Sequence, residues 1–189
     1  MILRQAKTNL EYARMTDFID GDPEAVLVVE VTADDEVELE SKLDNLENRM
    51  KNERHGYAFK RLVAIEDQFK VWAVRKAGLG LMMNVTGNYK PLPFVEDTAV
   101  APEALPQYVR RFEQIIHDHD TTAGYYGHAS VGCLHIRPLL NLKDQAGVDK
   151  MVSIASDISD LVLEFGGAMS GEHGDGLARS IWNEKMFGP

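Results

Sequence analysis

The clearest pattern in this chain is YYGHASVGCLHIRP, residues 125–138, in which two strand-like runs are joined through a glycine. If Val131 and Gly132 are the two turn residues of a β-hairpin, His128 lies directly opposite His135. Opposed residues share one face of an antiparallel sheet, with Cβ atoms about 5 Å apart, so two imidazoles there can bind one ion. The pattern therefore predicts a hairpin that carries two metal-binding histidines, with Cys133 buried and facing away from them.

A second glycine-framed segment, SGEHGDGLARS at residues 170–180, supplies a carboxylate and another histidine. Glu172 is predicted to complete a ligand set with His128 and His135, which would leave coordination positions open as in catalytic zinc sites. Neighbouring residues of a strand point to opposite faces, so His173 is predicted to act as a general base. Two alternatives remain open: a structural role for His173 at the turn that follows it, and ordinary hydrogen-bonded roles for the other histidines.

Three basic residues are candidates for binding a substrate carboxylate. Arg137 lies two residues beyond His135 and shares its strand face, Arg75 lies on a predicted helix over residues 66–77, and Lys90 is a weaker candidate. Arginine binds planar carboxylates through two parallel hydrogen bonds. Taken alone, each arginine fits a solvated surface position better, so this assignment depends on a basic pocket being present.

The residues before the hairpin alternate between strand-like and helix-like patterns. AVLVVEV at residues 25–31 is a β-branched run typical of a buried strand, and a capped amphipathic helix is predicted to follow it. Glycine and proline then interrupt the pattern, which predicts a loop. The predicted elements are a strand at 25–31, a helix at 32–52, a strand at 57–65, a helix at 66–76, and a loop at 78–100 with a short strand near 81–85.

The later part of the chain contains two longer helical patterns on either side of the hairpin. Because strands and helices alternate with hairpins rather than with uniform βαβ crossovers, the predicted fold class is α+β. We expect a mostly antiparallel sheet covered by helices in a ferredoxin-like arrangement, as one domain or two half-domains. The predicted elements are a helix at 102–118, the hairpin at 123–140, a helix at 144–165, a short strand at 168–172 and a helix at 177–186.

Composition excludes several classes of function. A net charge of -10 argues against a nucleic-acid or anionic-membrane surface, since both need clustered Lys and Arg. A single cysteine rules out an internal disulfide and a cysteine-rich zinc module. The sequence also lacks an apolar run of spanning length and a signal peptide. We therefore expect a cytoplasmic location, with peripheral association at the inner membrane through the full-length protein.

Four segments together are similar to a known family: VWAVRKAGLGL, VEDTAVAPEALPQYV, YYGHASVGCLHIRP and SGEHGDGLARSIW. They resemble the C-terminal domain of the FAD-linked oxidase family, which includes D-lactate dehydrogenases, glycolate oxidase and D-2-hydroxyglutarate dehydrogenase. The hairpin is similar to the branch in which the flavin part is fused to an iron-sulfur segment. The sequence departs from the usual pattern at residues 130–133, where SVGC replaces Gly-Asp-Gly-Asn, and at Arg137, where some relatives have Asn.

This resemblance implies the substrate side of an active site whose FAD is bound by a separate domain. It implies that His128, His135 and Glu172 bind a divalent metal (zinc, manganese or iron), that His173 is the catalytic base, and that Arg75 clamps the substrate carboxylate. The implied substrate is a D-2-hydroxy acid such as lactate, glycolate or 2-hydroxyglutarate. An iron-sulfur cluster is implied only for the full-length protein.

From the resemblance we expect residues 1–24 to be an extension from a missing FAD-binding domain, and residues 25–189 to be the substrate and metal domain, truncated at its C-terminus. The expected partners are that FAD-binding domain, a small 2-hydroxy acid, an unidentified electron acceptor and a second copy in a homodimer. The fragment alone is expected to be inactive. Two other functions fit the same residues: a metal-assisted hydrolase and a non-catalytic carboxylate-binding domain.

Overall fold

Two units make up the computed structural model, which describes residues 2–189: residues 2–79 form the N-terminal unit and residues 80–189 the C-terminal unit. None of the described helices is long and apolar enough to cross a membrane. The helices are α1 (Ile2–Thr8), α2 (Glu36–Asn52), α3 (Ile65–Met83), α4 (Leu105–Asp118), α5 (Gln145–Glu164), α6 (Gly176–Arg179) and α7 (Asn183–Phe187). The strands are β1 (Lys90–Pro91), β2 (Thr98–Ala99), β3 (Ala123–His128) and β4 (Cys133–Leu140).

In the N-terminal unit, α2 confirms the helix predicted there. The side chain of Asp35 caps it by accepting a hydrogen bond from the backbone N–H of Glu38 at 2.8 Å. Val37, on the predicted apolar face, is 81% exposed. The remaining residues of that face are half-buried: Leu39, Leu43, Leu46 and Met50.

The prediction of two strands in the N-terminal unit was wrong. Residues 25–31 and 57–64 have no regular structure, and Ile65 is already the first residue of α3. A strand exists only as part of a hydrogen-bonded ladder, and neither segment has such a partner among the described residues. The side chains of Val28 and Val29 accordingly remain about half exposed.

Helix α3 is longer than predicted, because it continues to Met83 through Gly78 and Gly80. The short strand predicted near residues 81–85 was therefore wrong. A glycine inside a helix costs about 1 kcal/mol relative to alanine, whereas burying one large apolar side chain contributes about 1.5 to 3 kcal/mol. Leu81 and Met82 are both buried, so the burial outweighs the two glycines.

The sheet of the C-terminal unit is antiparallel and confirms the α+β class. Strand β4 pairs with each of the other three described strands: with β1 at its carboxyl end, with β2 at its amino end, and with β3 along six residue pairs. An isolated antiparallel bridge between Ala99 and Ala168 adds one more contact beside β2. The hairpin predicted at residues 123–140 is confirmed.

The register of the hairpin differs from the predicted one. His128 pairs with Cys133, and Tyr126 is the residue opposite His135. The connection is a 3₁₀ turn, Ala129–Val131, followed by Gly132 in the left-handed region at φ 71°. A Cβ on Gly132 would lie 1.8 Å from the carbonyl oxygen of Val100, so only glycine fits this close approach. The longer turn moves the pairing by two residues but keeps both histidines on one face.

Helices α4 and α5 pack on the sheet along the predicted apolar stripes. Asp144 caps α5 through the backbone N–H of Gly147 at 2.8 Å. The fully buried side chains contributed by the two helices include Tyr108, Phe112, Ile116, Ile154, Ile158 and Val162. These helices join Ile136 and Leu140 of β4 in one core.

The carboxyl end departs from prediction in two places. The predicted strand at 168–172 is reduced to the single bridge at Ala168, because the next residues hydrogen-bond to the side chain of Asp97 instead of to a strand. The predicted helix at 177–186 is divided into α6, a 3₁₀ turn at Ser180–Trp182, and α7. Arg179, at the division, turns its side chain into the protein and is 6% exposed.

Candidate active site

Three of the predicted histidines lie in one cluster in the C-terminal unit. His135 is at its centre and is 3% exposed. The ring of His173 stacks on it, with centroids 4.9 Å apart and planes 9° apart. His128 meets it edge-on at 5.5 Å, and Tyr126 is tilted against it at 5.0 Å. The structure therefore brings together His128, His135 and His173, although the predicted pairing was shifted.

The carboxylate of Glu172 faces two of these histidines. Its Oε2 lies 3.8 Å from Nε2 of His128 and 3.7 Å from Nε2 of His135. Both distances are too long for hydrogen bonds. Two ligands bound at about 2 Å to one zinc ion lie roughly 3 to 3.5 Å apart, so Oε2 of Glu172 lies slightly beyond that separation from each of the two imidazoles. Of the residues predicted as ligands, His135 and Glu172 belong to a compact group of donor atoms that suits a divalent cation.

Asp97 is a residue of this cluster that sequence reasoning missed. It lies on the segment before β2, is fully buried, and adopts φ 76°, which is the left-handed region and unusual for a residue other than glycine. Its Oδ2 accepts hydrogen bonds from Ser170 Oγ at 2.6 Å and from the backbone N–H groups of His173 at 2.8 Å and Glu172 at 3.1 Å. One carboxylate therefore fixes the loop that carries Glu172 and His173.

The hydrogen bonds that Asp97 accepts from this loop also lower its pKa. Burial alone would raise this pKa, but the hydrogen bonds from Ser170 and from the backbone of His173 and Glu172 outweigh it and lower the pKa to about 2. Asp97 is therefore ionised at neutral pH. Its negative charge is satisfied by donors fixed in the loop.

Close packing of the loop against the sheet requires a glycine beside Asp97. The backbone N–H of Gly171 donates to the carbonyl of Asp97 at 2.7 Å. A Cβ on Gly171 would lie 2.9 Å from Cβ of Ala99 and 3.1 Å from Sγ of Cys133. Any side chain at residue 171 would push the loop away from Asp97.

His135 carries an atom without a partner. Its Nδ1 is buried with no hydrogen bond, and the nearest carboxylate oxygen, Oδ1 of Asp97, is 3.9 Å away. Burial lowers the pKa of His135, the neighbouring His173 lowers it further, and the surrounding carboxylates oppose this shift. The neutral imidazole that results is the form that binds metal ions.

A second carboxylate that sequence reasoning missed, Glu96, joins His173 to Arg137. Oε1 of Glu96 lies 3.4 Å from Nδ1 of His173, and its Oε2 forms an ion pair with the guanidinium of Arg137. Both Glu96 and Arg137 are buried. Arg137, predicted to bind the substrate, therefore lies in the cluster as the counterion of Glu96.

Cys133 is buried, as predicted, but the prediction that it faces away from the histidines was wrong. It is two residues from His135 on β4, so strand alternation places both on one face. Its Sγ lies 3.4 Å from Oδ1 of Asp97. Burial and this carboxylate raise the pKa of the thiol to about 12, which leaves it unreactive at neutral pH.

Lys90, the weaker candidate for an anion ligand, is not part of the cluster. Lys90 is on β1, opposite Leu140, and its Nζ donates to the carbonyl of Val85 at 2.5 Å. Leu140 is five residues from His135 along β4, which is roughly 17 Å at the rise of a strand. Arg75 lies on α3 in the N-terminal unit, and its role as a carboxylate clamp stays a prediction.

Four residues of the cluster form one compact set of donor atoms. One ligand atom from each of Asp97, His135, Glu172 and His173 lies within 4.8 Å of the others. Asp97, however, already accepts hydrogen bonds on both oxygens, and Nδ1 of His173 faces Glu96. His128 is not a member of this compact set, and its nearest donor atom in the set is Oε2 of Glu172 at 3.8 Å. Binding by His128, His135 and Glu172 would leave the contacts of Asp97 and His173 intact.

A sequence signal for the missed carboxylates exists in FVEDTAV, residues 94–100, where two acidic residues interrupt an apolar run. Charged residues are almost never fully buried unless they are paired, so such a run indicates a buried polar cluster. Arg179 belongs to it as well. Its two terminal nitrogens donate to the backbone carbonyls of Glu96 at 3.2 Å and Gly174 at 2.6 Å.

Comparison with known proteins gives relatives over the whole chain. D-2-hydroxyglutarate dehydrogenase of Haemophilus influenzae is 41% identical over 120 residues, covering 64% of this chain and 12% of that protein. The enzyme of the same name from Pseudomonas putida is 32% identical over 195 residues, covering 99% of this chain and 19% of that protein. Glycolate oxidase subunit GlcD of Bacillus subtilis is 24% identical over 119 residues, covering 63% of this chain and 24% of that protein.

This chain spans about a fifth or less of the length of the D-2-hydroxyglutarate dehydrogenases it matches. One family model, described as FAD linked oxidases, C-terminal domain, matches residues 3–189 and so includes both units and every residue of the cluster. The chain therefore belongs to the family of FAD-linked oxidase C-terminal domains.

Proposed function

We propose that this chain is the substrate-binding, metal-bearing part of a larger flavin-dependent dehydrogenase that oxidises a D-2-hydroxy acid to the 2-oxo acid. The observation that carries the proposal is that the carboxylate of Glu172 faces both His128 and His135, with His173 stacked on His135. The names of the relatives support the substrate class, since they act on 2-hydroxyglutarate, lactate or glycolate.

In this proposal His128, His135 and Glu172 hold a divalent cation, with zinc, manganese or iron as candidates. When bound, such an ion supplies Lewis acidity that lowers the pKa of a coordinated hydroxyl group. The buried, neutral imidazole of His135 and the carboxylate of Glu172 are the donor types that these metals accept. Asp97 and Gly171 fix the loop that carries Glu172, so the backbone of Glu172 is already ordered before a cation binds. Binding the cation therefore costs little conformational entropy.

His173 is the proposed general base for the hydroxyl proton. Its Nδ1 faces Glu96 and Asp97, which leaves Nε2 as the ring nitrogen that accepts the proton. Stacking on His135 fixes the plane of the ring. The side chain is about half exposed, so a small substrate can reach it.

The flavin would be bound by another part of the full-length protein, where it supplies the acceptor for the hydride released from Cα of the substrate. The contribution of this chain is to bind the hydroxy acid and to remove the hydroxyl proton. Arg75 is retained in the proposal as the residue that binds the substrate carboxylate. An iron-sulfur cluster, a homodimer and the division at residue 24 are retained as expectations for the full-length protein.

The test is turnover of D-2-hydroxyglutarate, D-lactate and glycolate by the full-length protein that contains this chain, with an artificial electron acceptor. His173→Ala should lower kcat by about 10²-fold or more, since one general base contributes 10²- to 10⁴-fold. Glu172→Gln should also lower kcat strongly, because it removes a charged ligand of the cation that activates the hydroxyl group. His119→Ala is the matched control, because His119 lies outside the cluster and pairs with Asp157 at 2.8 Å.

Unchanged turnover in Glu172→Gln or His173→Ala, with the bound flavin still present, would contradict these roles. Hydrolysis of an ester panel by the chain with added metal, in place of dehydrogenation by the full-length protein, would reject the dehydrogenase in favour of a hydrolase.

A further inference from the structure

Three side chains from three different segments, Arg137, Glu96 and His173, form one chain of polar contacts. Arg137 projects from β4, Glu96 precedes β2, and His173 lies in the loop before α6. Glu96 uses one oxygen for each neighbour: Oε2 pairs with Arg137 and Oε1 lies 3.4 Å from Nδ1 of His173. Oε1 of Glu96 therefore faces the imidazole of His173, while Oε2 of the same carboxylate is held by Arg137.

The backbone around this chain is fixed as firmly as the side chains. Arg179, which is buried, donates to the carbonyl of Glu96 and to the carbonyl of Gly174. It therefore joins the segment that carries Glu96 to the loop that carries His173. Asp97 joins the same two segments through the backbone N–H of His173. These contacts set the distance between the carboxylate and the imidazole.

The surroundings of Nδ1 determine which ring nitrogen carries the proton. A neutral imidazole has one N–H group and one acceptor nitrogen, and its partners select between the two forms. Two carboxylates lie near Nδ1: Glu96 with Oε1 at 3.4 Å, and Asp97 with Oδ1 at 3.7 Å. Carboxylates accept hydrogen bonds and cannot donate them when ionised, so they favour the form in which Nδ1 carries the hydrogen.

We propose that Glu96, held by Arg137, is a positioning residue that keeps His173 protonated at Nδ1, so that Nε2 is free to accept the substrate proton. The inference deepens the proposed function and rests on it for the role of Nε2. The assignment of the tautomer rests on geometry alone and can be tested without any turnover.

Glu96→Gln gives the sharpest test, because its shape is retained while one acceptor oxygen becomes a donor NH₂ group. Arg137 is always a donor, so the amide oxygen must face Arg137 and the NH₂ group must face His173. Nδ1 would then be the acceptor nitrogen, and the hydrogen would move to Nε2. An equivalent carboxylate-to-amide change behind a catalytic histidine is a known way to select the wrong tautomer.

The measurement is ¹⁵N–¹H correlation NMR of the histidine rings of the 189-residue chain in metal-free buffer, at a pH where the imidazoles are neutral. We expect His173 of the wild type to carry its hydrogen on Nδ1 and Glu96→Gln to carry it on Nε2. The ring signals of His119, which pairs with Asp157 outside the cluster, should be the same in both proteins and serve as the internal control.

A wild-type His173 with its hydrogen on Nε2, or an unchanged tautomer in Glu96→Gln, would overturn the proposal. Should Glu96→Gln fail to fold, the double variant Glu96→Leu with Arg137→Leu removes both charges together, which is often tolerated for buried pairs. Loss of the Nδ1–H preference in the double variant supports the proposal. Its persistence would assign the role to Asp97 and overturn the claim for Glu96.

In the full-length enzyme, Glu96→Gln should lower kcat by about 10²-fold or more with little change in KM, since the base is lost and the binding residues are not. If the tautomer changes and kcat does not, His173 is not the base: the proposed function then fails while the positioning role of Glu96 stands. If neither changes, the positioning role fails.

Discussion

Residues 25–31 of the N-terminal unit and β4 of the C-terminal unit have similar apolar patterns but different structures. AVLVVEV has no strand partner among the described residues, and its valines are half exposed. CLHIRPLL pairs with three strands and is covered by helices, so it can bury even His135 and Arg137. Apolar pattern alone therefore does not make a strand, and the polar cluster forms where pairing and cover are both present.

The ion pairs of the two units also differ in how far they are exposed to solvent. Arg61 of the N-terminal unit contacts Asp44 at 2.7 Å and Glu47 at 2.6 Å, and these side chains raise its pKa while remaining accessible to solvent. Arg137 and Glu96 of the C-terminal unit form a buried pair, with side chains 8% and 10% exposed. Solvent screening weakens the first network, whereas the loss of one partner from the second leaves a buried charge.

The largest expected effect is on the core. Phe112→Ala should lower the free energy of unfolding by about 3 to 5 kcal/mol, because it removes a fully buried ring between the sheet and α4. Val28→Ala, in the unpaired segment, should cost less than about 1 kcal/mol. Urea unfolding of both variants checks this, and equal losses would mean that the two segments are equally buried in solution.

Breaking the buried ion pair should come next. Arg137→Met is expected to cost about 3 kcal/mol, because Glu96 is left buried without its counterion. Arg61→Met is the matched change at the surface and should give a much smaller loss. Thermal unfolding at two salt concentrations separates them, since only the Arg61 interactions should weaken with salt. A salt-sensitive, small effect at Arg137 would contradict the burial of the pair.

Asp97 predicts a dependence of stability on pH. Its pKa is lowered from 3.8 to about 2, so its contribution is complete above pH 3.8 and is lost as the pH falls toward 2. The stability difference between wild type and Asp97→Asn should therefore shrink by roughly 2 kcal/mol between pH 5 and pH 2. Urea titrations in buffer containing EDTA measure this, and a constant difference would show that Asp97 has an ordinary pKa.

The smallest expected effect is on two helix N-caps, one from each unit. Asp35 and Asp144 both cap a long helix through a 2.8 Å hydrogen bond, so Asp35→Ala and Asp144→Ala should each cost about 1 kcal/mol. Circular dichroism during urea unfolding measures both losses. A loss confined to Asp144→Ala would show that the cap of α2 contributes nothing in solution.

Local rules predicted α2, α4, α5 and the existence of the hairpin correctly, because the signals for these elements are local. Asp35 and Asp144 mark the starts of α2 and α5, and Gly132 marks the turn of the hairpin. The register could not be predicted, because it depends on how Gly132 meets the carbonyl of Val100, which is about thirty residues earlier in the chain. The same limit applies to residues 25–31, whose structure depends on a partner rather than on their own pattern.

The candidate site was predicted in part for the same reason. His128, His135, Glu172 and His173 could be grouped because they lie in two glycine-framed motifs. Glu96 and Asp97 could not be assigned, since the segment that carries them meets the loop only through tertiary hydrogen bonds. Arg137 was placed near the site correctly, but only the structure shows that Glu96 engages its guanidinium.

The central claim is that His128, His135 and Glu172 hold one divalent cation, and the direct measurement is the metal content of the purified chain after equilibration with zinc, manganese or iron(II) and removal of unbound ion. The account predicts one ion per chain in the wild type and in His119→Ala, and loss of that ion in Glu172→Gln and His135→Ala. A wild type that binds no ion, or a Glu172→Gln variant that binds as much as the wild type, would contradict it.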